Sequence, residues 1–88
     1  MATVTLRAPL RDRAGGEPTH RLPGTSVSQV LRELERRHPP ITGWILDEQG
    51  RVRAHVNVYV NGELTREDAA LAPDDTVQVL PSISGGYG

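Results

Sequence analysis

The sequence contains no cysteine, no lysine and no phenylalanine, and it has no long apolar run. Without cysteine, disulfide frameworks, thiolate metal sites and a cysteine nucleophile are excluded, so any sulfur chemistry must borrow its sulfur. Spanning a bilayer takes about 20 consecutive apolar residues, and the opening stretch MATVTLRAPLRDR alternates where a signal peptide would be continuously apolar. A cytoplasmic location with no membrane partner is therefore expected. Formal charge is -1, aromatics are 3% of the chain, and basic and acidic residues are interspersed. A basic stripe with interleaved aromatic rings is missing, which argues against a nucleic-acid partner.

What is present fits one small domain. At 88 residues folding hides only about 60–65% of the chain's surface, enough for one modest core. TVTLRA (Thr3 to Ala8) alternates apolar Val4, Leu6 and Ala8 with polar neighbours, the period of a half-buried strand. DRAGGEP reads as a loop in which Gly15 and Gly16 allow positive φ, and THRLPG as the returning strand of a hairpin. In TSVSQVLRELERRHPP, Ser26 and Gln29 have the spacing of a capping box. Val27, Val30, Leu31 and Leu34 follow as one apolar stripe, Glu33 and Arg37 can pair outside it, and Pro39 stops the helix.

RVRAHVNVYVNGELT predicts a strand with Val52, Ala54, Val56, Val58 and Val60 on one face and Arg53, His55, Asn57 and Tyr59 on the other. Asn61-Gly62 is a strong signal for a two-residue type I′ turn. REDAAL (Arg66 to Leu71) is read as a single helical turn, Pro73-Asp74 as a turn, and Thr76 to Leu80 as the centre of the last strand. The expected order is β-β-α-β-β-β, an α+β domain with a mixed sheet of four to five strands and one main helix packed across it.

Candidate catalytic groups are better explained as structure. His20, His38 and His55 lack metal-ligand spacing. Asp74-Asp75 before a strand is turn chemistry, and Ser26 is a helix cap with no base beside it. No metal site, no bound cofactor and no catalytic residue are expected.

The helix SVSQVLRELERRHP, the hairpin VNVYVNGE, the strand DDTVQVLP and the ending SISGG together resemble the ThiS/MoaD family of sulfur carriers, most of all the longer MoaD-like carriers of the CysO type. The likeness runs from about Val4 to Gly86. It implies a ubiquitin-like β-grasp domain over residues 1–81 and a flexible tail over 82–88. It also implies a carrier, not an enzyme: a ubiquitin-activating-type partner uses ATP to convert the tail carboxyl to a mixed anhydride with AMP, and a sulfur donor then displaces AMP to leave a thiocarboxylate for a sulfur-accepting biosynthetic enzyme. On this resemblance Gly86 carries the thiocarboxylate, and Gly85, Ser84, Ile83 and Ser82 form the stem the partner recognises. Glycine suits such a tail because it has no Cβ to clash in a narrow nucleotide site. Tyr59, Arg53 and Leu80 are the expected partner-binding residues on the exposed sheet face.

Tyr87 and Gly88 depart from the family's usual diglycine ending, since the Gly86–Tyr87 peptide bond locks the Gly86 carboxyl in an amide. Either a JAMM-type metalloprotease cleaves between Gly86 and Tyr87, or Gly88 is the working terminus; removal is favoured because Tyr87 places a bulky ring where the family pattern has none. Two other classes stay open: a ubiquitin-like modifier conjugated through the same diglycine, and a β-grasp binding subunit whose tail never reacts. All ten Lys+Arg side chains are arginine. Codon usage in a GC-rich genome explains this most simply, although a carrier with an activated carboxyl also profits from having no amine to capture it.

Overall fold

The computed structural model describes residues 1–65 and 68–81. In chain order the elements are β1 (Ala2–Leu6), the short helix α1 (Leu10–Arg13), β2 (Thr19–Leu22), the main helix α2 (Val27–Arg37), a 3-10 turn (Pro39–Ile41), β3 (Val56–Val60), β4 (Glu63–Thr65) and β5 (Thr76–Pro81). They form one five-stranded sheet in the order β2-β1-β5-β3-β4. β1 runs parallel to β5, and the other pairs are antiparallel. The mixed sheet crossed by one main helix matches the expected α+β class.

Alternation decides which strand residues meet the helix. Val4 and Leu6 of β1, Val56 and Val58 of β3, and Val77 and Val79 of β5 are buried on one face, where Val27, Val30, Leu31 and Leu34 of α2 complete the core. Each such side chain contributes roughly 1.5–3 kcal/mol by leaving water. The two-residue turn forms as expected, with Asn61 at φ 51° and Gly62 at φ 88°. Gly15 and Gly16 take positive φ as well.

The start of α2 is tied from both sides. Ser26 Oγ accepts the Gln29 backbone N–H at 3.3 Å, while Gln29 Oε1 reaches back to the Thr25 N–H at 2.8 Å, one residue further out than in a standard capping box. From 40 residues away, Asp68 accepts both the Ser28 N–H at 2.8 Å and the Ser28 hydroxyl at 2.7 Å. A carboxylate there also meets the positive end of the helix dipole.

Four local expectations need correction. The strand expected from Val52 begins at Val56, because residues 46–52 close on themselves: Leu46 bridges Val52, and Asp47 Oδ1 accepts the N–H groups of Gln49 and Arg51. Ala54 and His55 lie exposed in a turn closed by Val56 N–H to Arg53 O at 3.0 Å, so neither takes a place on a strand face. The loop expected from Asp12 to Pro18 begins inside a short helix, since α1 runs to Arg13 and buries Leu10. Residues 68–71 are not helical: Ala70 bridges Ser26, Val27 N–H donates to Ala69 O, and Leu71 N–H donates to Thr25 O, which pulls this segment onto the helix start. Arg66 and Glu67 of the same expected turn lie outside the described residues.

The connection from Pro39 to Val52, ordinary in sequence, holds part of the core through Ile41, Ile45 and Leu46. Glu35 of α2 anchors it by accepting the backbone N–H groups of Gly43 and Leu46, while burial pushes its carboxyl above the ordinary range. Trp44 stays partly exposed, with the Arg13 guanidinium 3.8 Å from its ring centre, which joins α1 to this loop.

Glu33 binds Arg36 and, at 2.8 Å, Arg37, and these hydrogen bonds lower its pKa from 4.5 to about 2. Hydrogen bonds from the backbone of Arg51 and Gln49 lower Asp47 as well. A carboxylate whose folded pKa is depressed stabilises the fold above its unfolded pKa and loses that contribution as pH falls. Thermal unfolding followed by circular dichroism should therefore show the melting temperature dropping as pH falls from 4.5 towards 2. Glu33→Gln should flatten part of that drop; an identical pH profile for the variant would show that this triad contributes nothing.

Candidate functional site

The site is built where β5 delivers the chain to its last residues. β5 lies between β1 and β3, so both of its edges are bonded. The antiparallel register sets Val56 opposite Pro81, Asn57 opposite Leu80, Val58 opposite Val79 and Tyr59 opposite Gln78. Since Val56, Val58 and Val79 face the core, alternation turns Asn57, Tyr59, Gln78 and Leu80 to the open face. Leu64 on β4 pairs with Tyr59 and is 46% exposed. Thr5 and Thr3 of β1, opposite Gln78 and Thr76, extend the same face.

Tyr59, Leu64 and Leu80 thus make an apolar corner beside the root of the tail, bordered by the uncharged side chains of Asn57, Gln78 and Thr5. Directly opposed residues lie about 5 Å apart and diagonal ones about 7–8 Å, so one partner surface can cover all three. Two of the expected partner-binding residues, Tyr59 and Leu80, are brought together here. Arg53 is not: it precedes β3, its backbone N–H donates to Ile45 O at 2.9 Å, and its charge acts on Glu35 of α2 and on Asp47. Arg53 belongs with the helix-side loop because the strand that would have carried it to the open face begins three residues later. Leu64 was missed by sequence reasoning, yet the two-residue Asn61-Gly62 turn already implies its position, since it makes Glu63 oppose Val60 and Leu64 oppose Tyr59.

The start of β5 is held by Asp75 and Asn61. Asn61 Nδ2 donates to Asp75 Oδ1 at 2.9 Å, Asn61 Oδ1 accepts the Thr76 N–H at 3.0 Å, and Asp75 Oδ2 accepts the Ala72 N–H at 2.8 Å. The Asn61 amide and the Ala72 N–H hold the Asp75 carboxyl below its usual range. Asp74-Asp75 is turn chemistry, as expected. Ser26 is the expected cap. His20 and His38 meet edge to face with ring centres 4.9 Å apart, and His20 Nε2 donates to Glu17 O at 2.8 Å. Among the described residues no group of three metal-ligating side chains is assembled. On the helix side, a groove of about 650 Å³ opens between Val27, Arg32, Arg51, Val52 and Val58. The expected tail residues Ser82, Ile83, Ser84, Gly85 and Gly86, with Tyr87 and Gly88, lie outside the described residues.

The sheet order, the parallel central pair and the crossing helix define a ubiquitin-like β-grasp protein. The chain belongs to the ThiS family, which it matches over residues 4–86. It is 31% identical over 90 residues to the sulfur carrier protein CysO of Mycobacterium tuberculosis, covering 96% of this chain and 97% of that one. It is 40% identical over 65 residues to small archaeal modifier protein 3 of Haloferax volcanii, covering 69% and 70% of the two chains. The fold superimposes with a TM-score of 0.85 on a chain in the crystal structure of the BexX/CysO complex of Amycolatopsis orientalis, at 30% identity and covering 98% of this chain and 100% of that chain. Among the described residues no helix is long and apolar enough to cross a membrane.

The open-face corner should be separable from the core in denaturant titrations. Leu64→Ala should cost less than about 1 kcal/mol, as for an exposed cross-strand pair, while Leu31→Ala should cost about 2–5 kcal/mol through the cavity it leaves. Equal losses would mean that Leu64 is a core residue.

Proposed function

We propose that the chain is a sulfur carrier whose working end is Gly86, exposed by removal of Tyr87-Gly88. The observation that carries this reading is the extent of the family match, which runs through residue 86 and stops there. Likeness to a curated sulfur carrier over nearly the whole chain supports it. A carboxylate is a poor acyl donor, so a partner adenylating enzyme activates the Gly86 carboxyl with ATP. The partner docks on the apolar corner of Tyr59, Leu64 and Leu80. Sulfide equivalents then displace AMP, and the thiocarboxylate passes sulfur to a biosynthetic enzyme. The chain supplies shape and a reachable carboxyl, not catalysis. Likeness to a chain of the BexX/CysO complex supports a carrier that works in complex with another protein.

Likeness to an archaeal modifier protein favours a second reading, in which the same activated diglycine forms amide bonds with other proteins. The two readings share every step up to the adenylate and differ in the nucleophile. Processed protein incubated with its adenylating enzyme, ATP and a sulfide source should gain the mass of one oxygen-to-sulfur exchange. Isopeptide adducts on lysines of other proteins, without any thiocarboxylate form, would establish the modifier instead.

Masking is tested by comparing the full chain with one truncated after Gly86 in a pyrophosphate-release assay. Only the truncated chain should be activated, and Gly86→Ala should slow it, because a methyl group beside the reacting carbonyl crowds the adenylation site. Activation of the full chain with the acyl-adenylate at Gly88 would refute masking. Tyr59→Ala should weaken binding to the cognate enzyme in calorimetry while the domain stays folded; unchanged binding would move the docking surface elsewhere.

A further inference from the structure

On the side of the sheet away from Tyr59, Leu64 and Leu80, the groove of about 650 Å³ beside α2 has an apolar floor and a cationic rim. Val27 and Val58 are buried at its base, and the bridge to Leu46 that takes Val52 out of β3 sets that half-buried side chain beside them. Arg32 from α2 and Arg51 from the loop over residues 46–52 line the same groove, and both are exposed. Asp68 lines it from the start of α2, where its two carboxylate oxygens already accept the Ser28 N–H and hydroxyl.

The two arginines stand apart from their neighbours. Arg36 and Arg37 hold Glu33, Arg11 lies against Asp12, and Arg13 covers Trp44. Among the described residues the guanidinium groups of Arg32 and Arg51 have no ion pair or hydrogen bond, and their charge reaches Glu35 and Asp47 only at longer range. Gly50, at φ 81°, lets Arg32 lie across the loop, since a Cβ there would collide with its guanidinium. Two unpaired cations beside an apolar floor match an acidic side chain next to an aliphatic one. The spacing suits an extended chain: Val27 and Arg32 are separated by about 7.5 Å of helix, and side chains two positions apart on a strand point the same way about 7 Å apart.

We propose that this groove docks an extended segment of a partner protein, with an aliphatic residue over Val27, Val52 and Val58 and, two positions away, an acidic residue at Arg32 and Arg51. Asp68 repels a carboxylate from the other end, which fixes the acid at the arginine end. Main-chain direction is left free, because the two side chains alone are read. The groove and the open-face corner lie on opposite sides of the sheet, so a segment held here does not compete with a partner that grips Tyr59.

The probe is a capped octapeptide, Ile-Ser-Glu-Ser repeated twice, which presents aliphatic and acidic side chains alternately on one face and in both chain directions. Titrated into the isotope-labelled full chain, it should shift the backbone amides of Ser28, Arg32, Gly50, Arg51 and Val52 saturably. Arg32→Gln and Arg51→Gln, both at exposed positions, should each weaken binding about 3–5-fold, and added salt should weaken it further. Alanine in place of the peptide's isoleucines should weaken it at least about 5-fold. Arg21→Gln on β2 and Tyr59→Ala on the open face should bind as the unsubstituted chain does.

Lack of saturable shifts at the groove overturns the proposal, as does equal affinity for peptides with glutamine or lysine in place of glutamate. Equal affinity for the alanine peptide, or the same shifts with inorganic phosphate, would make the groove a simple anion site and overturns it too. Shifts of these amides that grow with protein concentration in the absence of peptide would assign the groove to a second copy of the chain instead. Binding is read without an adenylating enzyme, so its failure leaves the carrier reading untouched, whereas failure of the pyrophosphate-release assay counts against that reading alone.

Discussion

The pairing of β1 with β5 is the constraint on which the rest of the molecule depends. It joins the first strand to the last in parallel at the centre of the sheet, and parallel neighbours require a crossover connection that covers a face. Helix α2 supplies that cover, and the buried side chains of Val4, Leu6, Val77 and Val79 fill the space beneath it. A chain that begins and ends at the centre has to add its remaining strands outside: β2 beyond β1, and β3 and β4 beyond β5.

That arrangement has a direct functional consequence. The strand leading to the tail is bonded along both edges, so its last described residues are set by two ladders and not by one. The tail therefore starts from a fixed point beside Tyr59, Leu64 and Leu80. On the proposed reading, a partner that grips this corner also fixes where the carboxyl begins its approach. Asp75, Asn61 and Thr76 contribute at the opposite end of β5 by closing the turn that starts it.

Charge in this protein serves architecture. Asp68 caps α2 across 40 residues of sequence, Glu35 holds the loop that brings Ile45 and Leu46 to the core, and Glu33 draws in two arginines on the solvent side. On the open face, the strand residues that border the apolar corner, Asn57, Gln78 and Thr5, are uncharged. The two uses are separated by the sheet, since α2 and its acids lie on one side and the corner lies on the other.

Local rules were enough for much of this. The stripe of Val27, Val30, Leu31 and Leu34, the Ser26 cap, the Asn61-Gly62 turn and the alternation of Thr76 to Leu80 each depend on neighbours within a few residues, and each formed as the sequence implies. The family resemblance was legible for the same reason, because its motifs are those local elements in a fixed order. Long-range competition decided the rest. Val52 has the period of a strand residue, but Leu46 takes it into a separate bridge, which leaves Arg53 on the helix side. Asp68 and Ala69 could continue a helical turn in isolation, yet the unpaired N–H groups at the start of α2 draw them into bonds of their own. Burial of Ile41, Ile45 and Leu46, and the gathering of Tyr59, Leu64 and Leu80 into one corner, exist only once the sheet is assembled, because each depends on which strand lies beside which.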